Sequence, residues 1–275
     1  MKKLKLYIML IIGIVIFQGC DEIGQEFDRM EVNCNQIGEN DYVILTFGQS
    51  NSANSVNELT ISQTKKAFEI YEKRCYVIQD PNLGPDNGAA TYKKVNKGTV
   101  WTLLGDKIVN QNLAPNVYFI NIGVAGSSIS TWDINGTNYD ILDKNLNMLK
   151  DMNITLTHIF WHQGETDAVL RTSEEDYYNM FMNIRKHIRE YSNAPIFVSR
   201  ATHCMGIESI DVINAQNLLA QNNKDIYNGP NTDNYIGTIY RQDDDCHFNP
   251  FGANIEADLW IDMLNIYNYN INEGE

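Results

Sequence analysis

From Asp41 onward the chain alternates between two hydrophobic rhythms. Short apolar runs rich in Val, Ile, Phe and Tyr occur at Tyr42–Phe47, Tyr76–Ile78, Val117–Ile122, His158–Trp161, Ile196–Ser199 and Tyr235–Tyr240, each bounded by polar residues or glycine. That pattern predicts buried strands. Between them apolar positions recur at helical spacing. Trp101, Leu104, Ile108 and Val109 share one face, as do Ile141, Leu146 and Leu149. Tyr177, Phe181, Ile184 and Ile188 repeat behind a cap at Thr172 or Ser173, and Ile210–Leu219 and Ala253–Leu264 read the same way. Strands alternating with helices predict a parallel sheet covered on both faces. No internal repeat or linker interrupts residues 41–275, so one α/β domain is expected there. Residues 80–99, with Pro81, Gly84, Pro85, Gly88 and Gly98, read as a long loop of the kind that often walls a binding site.

The amino-terminal segment follows neither rhythm. Lys2, Lys3 and Lys5 precede an apolar run from Tyr7 to Phe17, too short to span a bilayer comfortably. Gly19-Cys20 follows, then Asp21-Glu22. A small residue directly before cysteine resembles a bacterial lipobox, so residues 1–19 are expected to be a signal peptide and Cys20 the lipidation site. An ordinary secretory signal and an uncleaved anchor are the alternatives. All three export the domain, and the polar, acidic stretch 20–40 then reads as a tether. Export changes the reading of Cys34, Cys75, Cys204 and Cys246. In an oxidising compartment four thiols can form two bridges by three connectivities. Cys204 with Cys246 is the first pairing to test, because each lies just beyond a predicted strand; four free thiols are the alternative.

The 275 residues are 43% hydrophobic, enough for a sizeable core, and carry a formal charge of −14. That balance leaves no basic face for nucleic acid. Any membrane association is expected to run through the amino-terminal anchor alone.

In a doubly wound sheet, ligands bind beyond the carboxyl ends of the strands. Four polar segments follow predicted strands: Gly48-Gln49-Ser50-Asn51, Gly123 to Trp132, Trp161 to Asp167, and Asp243 to Phe248. A serine hydroxyl is a weak nucleophile that needs a base, and the base needs an orienting group. Ser50 is the candidate nucleophile and His247 the candidate base. Asp244, three residues earlier, can fold back onto the imidazole; Asp243 and Asp245 leave a register ambiguity. The N–H groups of Ser50 and Gly126 and the amide of Gln163 are candidate oxyanion donors. Taken singly, each signal has a plainer reading: Ser50 as a helix cap, His162 as a structural histidine, Trp132 and Trp161 as core. There is no Walker A motif, and Ser52 stands where a nucleophile elbow needs its second glycine.

Taken together and in this order, "GQSN", "AGSSISTW", "WHQGETD" and "DDDCHF" resemble the SGNH (GDSL-like) hydrolase superfamily, in particular its sialate O-acetylesterase and carbohydrate esterase family 6 branch. The resemblance spans residues 41–267. It implies a three-layer α/β/α sandwich on a flavodoxin-like parallel sheet and hydrolysis of O-acetyl esters on glycans, with no metal or other cofactor. Ser50 matches the nucleophile, His247 the base, Asp244 its partner, and Gly126 and Gln163 the oxyanion donors. Glu165 belongs to the same block, and an acidic role in the triad has been considered for it in the family. Trp132 is a possible sugar-facing ring. Competing readings are a peptidoglycan or lipid esterase, an acetyl transferase, and a glycan-binding surface lipoprotein without turnover.

Overall fold

The computed structural model describes residues 29–85 and 96–273. The expected signal peptide and Cys20 lie outside the described residues, as does the middle of the long loop. Among the described residues one sheet contains β1 (Glu31–Val32), β2 (Tyr42–Gly48), β3 (Ala67–Tyr71), β4 (Arg74–Val77), β5 (Val117–Asn121), β6 (His158–His162), β7 (Ile196–Arg200) and β8 (Ile226–Asn231). Their order is β1-β4-β3-β5-β2-β6-β7-β8. Helices α1 (Val100–Asn110), α2 (Ile129–Trp132), α3 (Tyr139–Asp151), α4 (Glu165–Leu170), α5 (Glu174–Ile188), α6 (Ile210–Asn222) and α7 (Pro250–Glu273) connect or follow the strands.

Apart from the edge strand β8, every parallel strand is buried on both faces, and the period of two sorts its side chains. Val43, Leu45 and Phe47 of β2, Ile159 and Trp161 of β6, and Ile196 and Val198 of β7 pack with Leu142, Phe181, Ile184 and Leu219 from α3, α5 and α6. The intervening Ile44, Phe160 and Phe197 face the other way, against Trp101 and Ile108 of α1 and Trp260 and Leu264 of α7. Trp260 stacks on Phe160 with ring centroids 4.2 Å apart. The three-layer α/β/α fold is therefore built from one alternating pattern read from both sides. The cap of α5 is Ser173, whose side chain accepts from Asp176 N.

The run β5-β2-β6-β7-β8 is parallel and has the flavodoxin order 2-1-3-4-5. From β2 the chain passes through β3 and β4 to β5 on one side, then crosses back to β6 on the other. The crevice at this reversal lies at the carboxyl end of β2, where Gly48 to Asn51 sit.

Three expectations need correction. The sheet is not wholly parallel: β4 runs antiparallel to β3, and β1 antiparallel to β4. Residues 235–240 are not a strand; the last strand is β8, and Ile236 and Ile239 are exposed. The segment before Asp41 is not all tether. From Arg29 it is joined to the sheet: Arg29 pairs with buried Glu69, β1 adds to the edge, and Cys34 is bridged to Cys75. The second bridge is the expected Cys204–Cys246 pair.

Candidate active site

Strand β2 ends at Gly48 because the chain must pass against β6. Gly48 has φ of +137°, and a Cβ there would lie 2.0 Å from His162 O. No other residue type fits that approach. The turn that follows places Ser50 at the mouth of the crevice, 7% exposed, on a 3-10 turn covering Ser50–Ser52. Its N–H has no hydrogen-bond partner among the described residues. The same is true of Gly126, which sits on the β5 loop with φ of +69° and nothing within 4 Å of where a Cβ would be. Both N–H groups remain available to a ligand.

His247 arrives from the other end of the domain. Asp244 accepts from the backbone N–H of both Cys246 and His247 at 3.0 Å, which curls the loop tightly. The same carboxylate reaches His247 Nδ1 at 2.6 Å. Partial burial opposes ionisation of Asp244, but the bonds from His247 and from the two backbone N–H groups outweigh it and hold the carboxyl below its usual range. With Asp244 ionised, Nδ1 carries the proton and Nε2 keeps a lone pair. The register ambiguity also resolves, because Asp245 turns away to His203 Nε2 at 3.0 Å.

The His247 loop is tied to the Ser50 turn through Asn51. Its amide nitrogen bonds Cys246 O at 3.2 Å, and its amide oxygen accepts Phe248 N–H at 3.4 Å. The residues on both sides of His247 are thus held by the neighbour of Ser50. No direct hydrogen bond joins the Ser50 hydroxyl to His247; such contacts are often long before substrate binds.

With this geometry in place, comparison with known proteins is decisive. The family described as carbohydrate esterase, sialic acid-specific acetylesterase, matches residues 40–251. The chain belongs to this acetylesterase family. It is accordingly a carboxylic ester hydrolase that removes O-acetyl groups from carbohydrate. Solved structures share the acetylesterase's fold. An Arabidopsis thaliana protein is 15% identical with a TM-score of 0.61, covering 84% of this chain and 98% of its own. NanS is 16% identical with a TM-score of 0.53, covering 84% and 98%. A carbohydrate acetylesterase from Xanthomonas citri is 14% identical with a TM-score of 0.51, covering 79% and 54%. No curated protein matches the chain.

Within the acetylesterase, Gln163 does something other than expected, Trp132 follows its plainer reading as core, and Glu165 leaves His247 to Asp244. Gln163 is wholly buried, and its amide N–H groups are spent on Asp167, on Ser127 O at 3.1 Å and on Gln49 Oε1 at 3.2 Å. It is a strut between the β2, β5 and β6 loops and presents no donor to an oxyanion. Trp132 is also wholly buried; its Nε1 donates to Ser127 Oγ at 3.0 Å and its ring packs edge-on to Phe47 and Trp161. It supports the Gly126 loop from beneath and offers no face to a sugar. Glu165 lies on Asn51, 2.7 Å from its amide nitrogen, rather than on His247. His162 has the structural role expected of it, bonded through Nδ1 to Glu256 at 2.7 Å.

Two residues of the site escaped the sequence reading. Asn51 stands inside the quoted "GQSN", but its partners lie 195 and 197 positions away. Arg241 is buried and donates to Tyr235 O, Thr232 O and Cys246 O, with its guanidinium 3.8 Å from the Phe248 ring centroid. The only sequence signal for it was a lone arginine before an acidic run.

Proposed function

We propose that Ser50, His247 and Asp244 are the triad of this carbohydrate O-acetylesterase, with the N–H groups of Ser50 and Gly126 as its oxyanion donors. The observation that carries the reading is the short Asp244–His247 contact on a loop pinned to the Ser50 turn. Ser50 Oγ attacks the acetyl carbonyl carbon while His247 Nε2 takes the hydroxyl proton. The tetrahedral oxyanion lies against the two N–H groups. On collapse the carbon–oxygen bond to the sugar breaks, and His247 returns its proton to the departing hydroxyl. Water then attacks the acetyl-serine, His247 accepts its proton, and acetate leaves with Ser50 reprotonated. General base catalysis contributes about 10²–10⁴-fold, and an oxyanion donor about 10²–10³-fold. The family description favours acetylated sialic acid among glycan substrates.

Ser50→Ala is expected to cut acetate release from acetylated sialic acid, and from a chromogenic acetate, by at least about 10³-fold while leaving the melting temperature unchanged. Turnover close to that of the wild type would remove the triad.

We infer further that the enzyme acts outside the cytoplasm, tethered through Cys20. Two disulfides support this reading, since they persist mainly in oxidising compartments. Cys20→Ala is expected to move the expressed protein from the membrane fraction to the soluble one. An unchanged distribution would count against the anchor.

A further inference from the structure

Beneath the triad lies a buried polar chain that the mechanism above does not use. Asn51 is 3% exposed, Glu165 2%, Glu256 1% and His162 0%. Glu256 Oε1 contacts His162 Nδ1 at 2.7 Å, His162 Nε2 faces Glu165 Oε1 at 3.7 Å, and that oxygen accepts the Asn51 amide at 2.7 Å. Burying so many polar groups together is costly unless they satisfy one another by hydrogen bonds, and a network that does so is rigid. What it does follows from the amide. An asparagine side chain can turn end for end at little cost in shape, exchanging its donor and acceptor. Only one of the two orientations suits the His247 loop, because Cys246 offers a carbonyl and Phe248 an N–H. Glu165, an acceptor, rewards the orientation that sends Nδ2 toward itself and toward Cys246 O.

Resting on the triad reading, we propose that Glu165 and Asn51 are positioning residues: Glu165 fixes the sense of the Asn51 amide, and Asn51 fixes His247 relative to Ser50. Glu165 acts on catalysis through Asn51 and not as a carboxylate partner of His247, a place Asp244 already fills. Arg241 supports the same point from the opposite side by donating to Cys246 O at 2.6 Å. The loop is therefore held at Cys246 by two donors and at Phe248 by one acceptor, and the imidazole between them has little freedom to drift. A displacement of about 1 Å in such a group costs on the order of 10²-fold in rate.

The test compares Asn51→Ala, Glu165→Ala and Glu165→Gln with wild type on a chromogenic acetate. Thermal melts accompany the kinetics, and Ser50→Ala is the control. Asn51→Ala and Glu165→Ala are expected to lower kcat about 10²-fold with KM changed less than about threefold. Glu165→Gln retains an amide oxygen that can accept from Asn51, so it is expected to recover kcat to within about tenfold of wild type. A carboxylate acting directly on His247 would leave Gln as damaging as Ala, and that result overturns the proposal. So does an Asn51→Ala variant that keeps wild-type kcat. If Asn51→Ala does not fold, the Glu165 pair decides alone. Should Ser50→Ala remain active, the triad reading fails instead; an inactive Ser50→Ala beside a fully active Asn51→Ala removes only the positioning role.

Discussion

Asp244 accepts three hydrogen bonds from its own loop, whereas its neighbour Asp245 accepts from Gly237 N and pairs with His203, which also contacts Glu208. The two carboxylates therefore have separable effects. Asp244→Asn leaves the shape but can present an N–H to His247 Nδ1, favouring the tautomer that loses the Nε2 lone pair. We expect kcat to fall by about 10²–10⁴-fold. Asp245→Asn weakens a carboxylate–imidazole contact away from Ser50 and should change kcat by less than about tenfold, at a cost of at most about 1 kcal/mol in stability. Steady-state kinetics with denaturant titrations separate the two, and equal loss of kcat in both would contradict the assignment. The depressed pKa of Asp244 fixes the sign of its pH effect. Its stabilisation is complete above the ordinary aspartate value of about 3.9, and is lost as pH falls through its lower folded value. An activity loss seen well above that range does not come from Asp244.

At the scale of elements the two disulfides do different jobs. Cys34–Cys75 fastens the short amino-terminal strand to β4 at the sheet edge, and Cys204–Cys246 joins the loop after β7 to the residue before His247. Each closes a loop of about 40 residues, for which removal typically costs about 2–4 kcal/mol. Replacing Cys34 and Cys75 by Ala should lower the denaturation midpoint and leave kcat intact. Replacing Cys204 and Cys246 should lower both, because it frees the His247 loop; undiminished kcat in that variant would show that the bridge does not position the loop. The elements also show where sequence pattern carries information and where it stops. The core of β2, β5, β6 and β7 was legible because strands buried on both faces are nearly continuous apolar runs. Strand β3 was not, because Glu69 sits inside it, buried and paired with Arg29 from a distant segment. Strand β8 contains Gly229 and Pro230 and reads as a turn, yet proline is tolerated on an edge strand. The run from Tyr235 to Tyr240 reads as a strand, but its tyrosines pack on each other and Tyr240 stacks with Phe251. At the candidate site, the Asp244–His247 contact was legible from the three-residue spacing, and the Ser50 and Gly126 turns from their places after strands. The roles of Gln163 and Asn51 were not, since each depends on which loops the fold brings into contact.

For the molecule as a whole, acidification acts in two opposing senses. The formal charge of −14 implies that protonating surface carboxylates relieves self-repulsion, which favours the folded state in mild acid. His158 works against this. It opens β6 and lies 4% exposed among Tyr42, Phe197 and Tyr267, with ring centroids 4.4, 6.0 and 6.0 Å away. Burial pushes its pKa down to about 3. The unfolded chain takes up this proton below the ordinary histidine value of about 6.5, and the folded one does not. The stability His158 contributes is therefore complete above that value and drains away as pH falls toward its folded value, by about 2 kcal/mol at pH 5. His162 has the reverse sign. Burial disfavours its charge, but Glu256 and Glu165 raise its pKa, so its contribution is present at low pH and lost as pH rises through the folded value. Comparing His158→Phe with wild type cancels both His162 and the surface charge. Phenylalanine keeps the aromatic packing and gives up only the hydrogen bond to Thr157 Oγ, worth about 1 kcal/mol. Urea titrations should find the variant equal to or slightly less stable than wild type at pH 7.5 and more stable at pH 5. If the difference between the two proteins is the same at both pH values, His158 takes up its proton equally in the folded and unfolded chains, and the aromatic packing between β6 and α7 is not the dry environment described above.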